Sequence, residues 1–471
     1  MWRTVLRLEW RILRRDRAAL AILGLFALFL VVSAWAGGRH GQALSDSQDR
    51  ARAGEKTRIA ALEKALTAPG AETAPARARD PRDPTWMGES GAVHLAILPP
   101  APLAPVAVGQ RDLEPQIVQV STAVHLSAER ETETPMSGPT RLTTGAFDPA
   151  FLFVVLFPLV IIALSYELLS GERERGTLAM LLSQPVSQGA LVLGKAGARA
   201  LALCGVTLAF ALAGLVIAGA NLGAPGAWSS VGLYALILIS WALLWFALSI
   251  WINARGGTSA GNALLLVGVW LVVVIVIPGL VHVVVDTVHP PPSGVAAMHD
   301  AREDAQEVER ALSGLEGRHD VDTKTTDFAQ KRLAAQDKLQ KHEDEDAEAL
   351  HAILAQRREM MTWLRFVSPA IVVQMALEDV AGAGAERHAR FDSQLDAFHE
   401  EFRTFFATRI RAGARFTAAD LQERPQWRFV DEPFGALFAR VGSGAFGLLL
   451  LAWVLVVSAW PRLKKIGRLA A

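Results

Sequence analysis

Six runs of about twenty residues, each almost free of charge, constrain this chain more than any other feature. They are Ala18–Ala36, Ala150–Leu169, Leu201–Ala220, Val231–Ile252, Asn262–Val284 and Gly442–Trp460. A helix needs about 20 apolar residues to cross about 30 Å of hydrocarbon. Backbone polar groups in lipid must pair within their own segment, so each run has to be helical. Hydrophobic residues make up 51% of the 471, and their concentration in these runs marks a bilayer rather than a soluble core. The expected fold class is an all-α polytopic membrane protein with six transmembrane helices.

Lys and Arg in the short flanks set the orientation. Residues 1–17 carry Arg3, Arg7, Arg11, Arg14, Arg15 and Arg17, and the tail 461–471 carries Arg462, Lys464, Lys465 and Arg468. An even number of spans puts both termini on one side, so both are expected in the cytoplasm. The link NLGAPGAWSS between the third and fourth spans has no basic residue and falls outside, whereas Arg255 in the next link falls inside. Ala34-Trp35-Ala36 has the small residues of a signal-peptide cleavage site, but the run before it is longer than the usual apolar region, so it is read as a span.

Two long segments then lie outside, 37–148 and 285–434. The first opens with SDSQDRARAGEKTRIAALEKALTA, which reads as helix, and continues through the Pro-rich AILPPAPLAPVAVGQRDLEP, which does not. IVQVSTAVHLS is β-branched enough for a strand, so this domain is expected to be mixed α/β. The second is expected to be mainly helical. Ala347, Leu350, Leu354, Met361 and Leu364 form one apolar stripe, and Phe391, Leu395, Phe398, Phe402 and Phe405 form another. Between them PAIVVQMALEDV is apolar but too short to span, and reads as a helix on the outer membrane surface or dipping partly in. Gly314 and Gly317 mark the expected turn of a helical hairpin.

The second span runs into SYELLSGERERGTLAMLLSQPVS (165–187). A charge at a helix centre costs roughly 2.5–3.5 kcal/mol by insertion scales, so Glu167 belongs at the interface and Glu172, Arg173, Glu174 and Arg175 outside the hydrocarbon. Gly171 and Gly176 bracket this cluster and let the chain turn. Thr177 can cap a short helix with Leu178, Leu181 and Leu182 on one face, and Pro185 stops it. Such a helix can rest on headgroups or insert its leucines into a partner's groove, and the residues alone leave both open.

With the following QGALVLGK, this stretch closely resembles the cytoplasmic loop of ABC-2-type permease subunits, the membrane halves of ABC exporters. In that family it is the coupling helix that docks on the nucleotide-binding subunit, which makes 170–198 the coupling loop. LEWRILRRDRAALA resembles the family's N-terminal interfacial helix, carrying Glu9, Arg11 and Arg14. PPAPLAPVAVGQRDLEP and VSPAIVVQMALEDVAGAGAERHARF resemble a subgroup with two large extracytoplasmic insertions. Ala179 departs from the acidic residue that relatives often carry. The resemblance implies two copies of an ABC ATPase subunit that bind ATP and Mg²⁺, a second permease subunit (identical or paralogous) and a bacterial inner-membrane location. It leaves a periplasmic partner open.

Other motifs carry less. GALVLGK has P-loop spacing, but Ala196 stands where a hydroxyl would meet Mg²⁺ and the segment leads straight into a span, so no cofactor is expected in this chain. HEEFR at 399–403 begins like a zincin helix, yet Arg403 replaces the second His, and no metal site is expected. Glu343–Asp346, flanked by His342 and His351, reads as a solvated face. Lone Cys204 allows no intrachain disulfide, no hydrolase motif is visible, and no basic stripe suggests nucleic acid. The spans hold no deep carboxylate or His of the kind a proton-coupled carrier exposes. Pro158, Pro278 and Gly279 can kink the second and fifth spans, as hinges or simply as structure. The sequence therefore points to an ABC exporter permease, with a non-transporting scaffold and a membrane enzyme as alternatives.

Overall fold

The computed structural model describes residues 2–69, 79–109, 115–122, 147–178, 180, 188–290, 310, 330, 333, 337 and 349–469. Gly314, Gly317, Leu181, Leu182, Pro185, Ala179, His342, Ala347 and Glu343–Asp346 lie outside them.

The described residues contain six helices long and apolar enough to cross a membrane: Arg17–Thr67, Pro149–Glu174, Leu191–Ile217, Ala227–Asn253, Ser259–Val288 and Phe434–Lys464. Each contains or overlaps one of the six apolar runs. The chain is thus an all-α polytopic membrane protein. The fourth span sits at the centre, with Trp241 and Trp245 fully enclosed and packed edge to face. The fifth span is the barest, with Leu264, Leu271, Ile275, Leu280 and Val283 all exposed.

The first span is longer than its apolar run requires. A single helix of 51 residues begins at Arg17, where the Asp16 carboxylate accepts from the Ala18 and Ala19 amides, and ends at Thr67. Gly37 and Gly38 do not break it. They serve close approach instead: a Cβ on Gly37 would lie 2.4 Å from the Pro105 carbonyl oxygen, and one on Gly38 would lie 2.6 Å from Ala218 Cα.

Away from the spans, the described parts of the two long segments share one core. Strand β1 (His94–Ile97) pairs antiparallel with β2 (Ile117–Val120), His94 opposite Val120. Met87, Ala96, Val118 and Val120 pack on Phe391, Leu395, Phe398, Phe402 and Phe406 of the helix Ala385–Arg411. The aromatic stripe therefore ends on Phe406, which is fully buried, while Phe405 is half-buried beneath the Arg409 guanidinium. His399 lies buried on the same helix, and Arg403 pairs with Asp337 at 2.8 Å. The apolar stripe of helix 349–364 is only partly used: Leu350 and Leu354 are exposed, whereas Met361 and Leu364 pack beside Val281 and Val285 of the fifth span. The helix Pro369–Ala381 buries Ala370, Val373, Leu377 and Ala381 within the main core, against the fourth, fifth and sixth spans.

The opposite end of the bundle gathers the N-terminal helix Trp2–Leu13, the Glu172 turn and the last turns of the sixth span. Both described chain ends lie there, and the shared outer core lies at the other end. The sixth helix runs unbroken to Leu469 through Pro461, so the basic tail continues the span.

Candidate functional site

The second span is not a uniform rod. Its regular helix ends at Ser165, residues 166–169 form a turn, and a short helix Ser170–Glu174 follows. A turn inside a packed bundle leaves backbone groups that need partners. Two asparagines from neighbouring spans supply them. Asn253 donates to the Ser165 carbonyl (3.3 Å) and accepts from the Leu169 amide (3.2 Å), while Asn262 donates to Asn253 Oδ1 (3.2 Å) and to the Tyr166 carbonyl (3.4 Å). Ser165 and Ser249 share a hydroxyl bond of 2.7 Å.

Beyond this lock each member of the charge cluster has a different neighbour. Glu172 accepts from Lys195, which is 5% exposed and also lies 3.8 Å from Glu9 of the N-terminal helix. Arg173 donates to the Gly257 carbonyl (3.4 Å). Glu174 accepts from the Ser259 amide (2.7 Å) and hydroxyl (2.9 Å), closing off the first turn of the fifth span. Arg175 is exposed and makes no ion pair among the described residues. Gly176 takes φ +72°, which favours glycine, and reverses the chain there; Gly171 stays helical and buried. Thr177 donates to the Glu172 carbonyl (3.3 Å), tying the turn shut. Leu178 is buried, and Met180 is 68% exposed.

Of the N-terminal candidates, only Glu9 is brought to the cluster; Arg11 and Arg14 are exposed. Lys195 is the residue that sequence reasoning missed. In the linear chain it ended a failed P-loop, yet in the fold it joins the N-terminal helix, the Glu172 turn and the third span. Its signal was a cation, followed only by Arg199, in a run of small and apolar residues within a turn of a span.

The two proline sites share one construction. The second span widens at Leu152–Leu156 and the fifth at Leu271–Val276, where each N–H reaches back five residues: Phe157 to the Leu152 carbonyl, and Ile277 to the Val272 carbonyl. In that register residue 158 would serve the Phe153 carbonyl and residue 278 the Val273 carbonyl. Both are proline and have no N–H. Side chains fill both vacancies. Trp241 Nε1 donates to the Phe153 carbonyl (3.0 Å), and Ser368 Oγ donates to the Val273 carbonyl (2.8 Å). Trp270 Nε1 adds a bond to the Val155 carbonyl (3.0 Å), linking the two widened turns to each other. Ser368 also caps the helix Pro369–Ala381 through the Ala370 amide, so the fifth-span turn is fastened to the outer core. A Cβ on Gly279 would meet nothing within 4 Å.

Charged groups at one bundle end are thus wired to the starts of the third and fifth spans, and two weak points sit farther along the second and fifth. The family model for "ABC-2 family transporter protein" matches residues 3–460. The chain is also 36% identical over 134 residues to a "Probable ABC transporter permease protein NosY" of Stutzerimonas stutzeri, a match covering 27% of this chain and 47% of that protein. The chain therefore spans about half the length of that relative. A match over nearly its whole length, on six spans and a charged turn of this geometry, means that the chain belongs to the ABC-2 family of transporter proteins.

Proposed function

We propose that this chain is the membrane permease subunit of an ABC exporter in a bacterial inner membrane, with both termini cytoplasmic and the shared outer core periplasmic. Two copies of a separate ATPase subunit would bind ATP and Mg²⁺ and drive it, and a second permease subunit, identical or paralogous, would complete the pathway. The observation that carries this reading is the two-sided character of the Glu172 turn. Arg175, Gly176 and Met180 are exposed, while Glu172 and Glu174 of the same turn bond to the third span and to the start of the fifth. An ATPase that moves the exposed side must move the spans with it, tilting them as bodies about the widened turns.

The double variant Arg175→Glu, Met180→Asp is expected to insert normally and to lose the co-expressed ATPase on purification. Undiminished co-purification would overturn the reading. Leu178 is the wrong probe, because burying an aspartate there would damage the fold itself.

A mechanical scaffold, moving its outer core to work on a periplasmic partner, is the second reading. The continuous first helix favours it, since that helix joins the bundle directly to the outer core. Solute-dependent ATPase activity in reconstituted vesicles separates the two: export requires it and a scaffold does not.

A further inference from the structure

A cavity of about 590 Å³ opens where the second and fifth spans meet the helix Pro369–Ala381, the helix 349–364 and the start of Ala385–Arg411. One side is hydrocarbon, formed by Val154, Val274, Pro278, Met361, Ile371 and Met375. The other side is charged, and its charges are unevenly satisfied. Arg440 lies 3.2 Å from Asp379 and 2.6 Å from Glu432, and Arg357 lies 2.6 Å from Asp286. Glu378 accepts from the Gln374 amide at 2.6 Å.

Among the described residues two cations on this wall make no ion pair, although the Asp379 carboxylate, itself held by Arg440, also acts on Arg365 from beyond contact. Arg365 is 7% exposed, its Nε is buried without an acceptor, and its one side-chain bond is a long one to Ser443 Oγ (3.3 Å). The Phe366 ring, 4.7 Å from its Cζ, offsets part of its desolvation. Arg358 makes no ion pair and no side-chain hydrogen bond among the described residues. Glu386 and Asp392 on the outer helix also line the cavity, but neither comes within ion-pair distance of Arg358 or Arg365. Arg358, Met361 and Arg365 are three and four residues apart, so they lie above one another along one face. A guanidinium this deep costs several kcal/mol unless an anion meets it. The long stems of both arginines and the methionines beside them leave an apolar trough leading from the cationic end.

We propose that this cavity binds an amphiphile with one acidic head group, carboxylate or phosphate, held by Arg365 and Arg358 with its hydrocarbon against Val154, Val274, Pro278 and Ile371. The bidentate fork of arginine suits both head groups. The site stands on the cavity alone and does not require that the chain export what it binds.

The test uses the full-length chain purified in a neutral detergent, with the fluorescent fatty acid dansylundecanoic acid as probe. Saturable binding is expected, with at least about ten-fold weaker binding of its methyl ester, the loss of one charge-assisted contact. Arg365→Gln is expected to weaken the acid about ten-fold and to leave the ester unchanged, while Arg365→Lys retains part of the affinity. Dodecyl phosphate and dodecanoate should each displace the probe and dodecyltrimethylammonium should not; the more effective of the two anions identifies the head group. Should Arg365→Gln lower the unfolding temperature, Ile371→Trp provides a second arm: it fills the trough, keeps both arginines, and is expected to abolish binding. Equal affinity for acid and ester, or binding unaffected by both variants, would overturn the proposal.

Discussion

Lys195 is the residue on which the bundle's charged end depends. Burying its ammonium is tolerable only because Glu172 and Glu9 meet it. Lys195→Met is therefore expected to cost about 3–5 kcal/mol, because it leaves the buried Glu9 and the half-buried Glu172 unpaired. Adding Glu172→Gln should recover much of that loss, and thermal unfolding in detergent would measure both. Glu378 provides the opposite case. Burial raises its carboxyl to about 7, with the Gln374 amide pulling the other way. Its ordinary value is 4.5, so folding favours the protonated form, and the protein loses stability as pH rises from about 4.5 to about 7. That loss is at most about 3 kcal/mol. Glu378→Gln should remove this component, giving a higher unfolding temperature than the native chain at pH 8 and little difference at pH 4. The sequence marked Lys195 only as a cation beside a span and gave no sign of its partners, and it marked Glu378 not at all. Each acquires its character from partners that only the fold brings near: Glu172 is 23 residues from Lys195, and Glu378 sits in a helix whose burial the sequence left undecided.

Elements were more legible than residues, up to the point where one element depends on another. The spans followed from apolar length, and the charge cluster sits where the regular helix of the second one has already given way to a turn and a short helix. Prolines 158 and 278 were visible as residues able to kink their spans. The widened turns before them were not, because that register holds only if a donor from elsewhere takes up the stranded carbonyl. Ser368→Ala should strand the Val273 carbonyl again at a cost of about 1–3 kcal/mol. Faster amide exchange near residues 271–278 than in the rest of the fifth span would register it. Pro158→Ala tests the hinge directly. Restoring the N–H gives the Phe153 carbonyl a partner in its own helix, and the expected result is a stiffer second span with slower ATP-driven turnover and no loss of stability.

At the scale of the molecule, composition divided the chain into membrane and outer parts but could not show that the outer parts join. Phe402 and Met87 are fully buried in one core although 315 positions separate them (402 minus 87). Residues 37–148 expressed alone should accordingly show no cooperative unfolding, and fusing 349–434 to them should restore it. The first helix enters that core too. Gln48 donates to the Leu98 carbonyl (2.9 Å), Arg58 donates to the Val93 carbonyl (2.7 Å), and Leu62 is buried among the aromatics. At 1.5 Å per residue this helix is about 75 Å long, and the Gly37–Gly38 pair that elsewhere would soften its middle is wedged against Pro105 and Ala218. A lean of about 10° at its foot would sweep its tip through about 13 Å. A stroke too small to open much of a pore would still swing the mass at its far end like an oar blade.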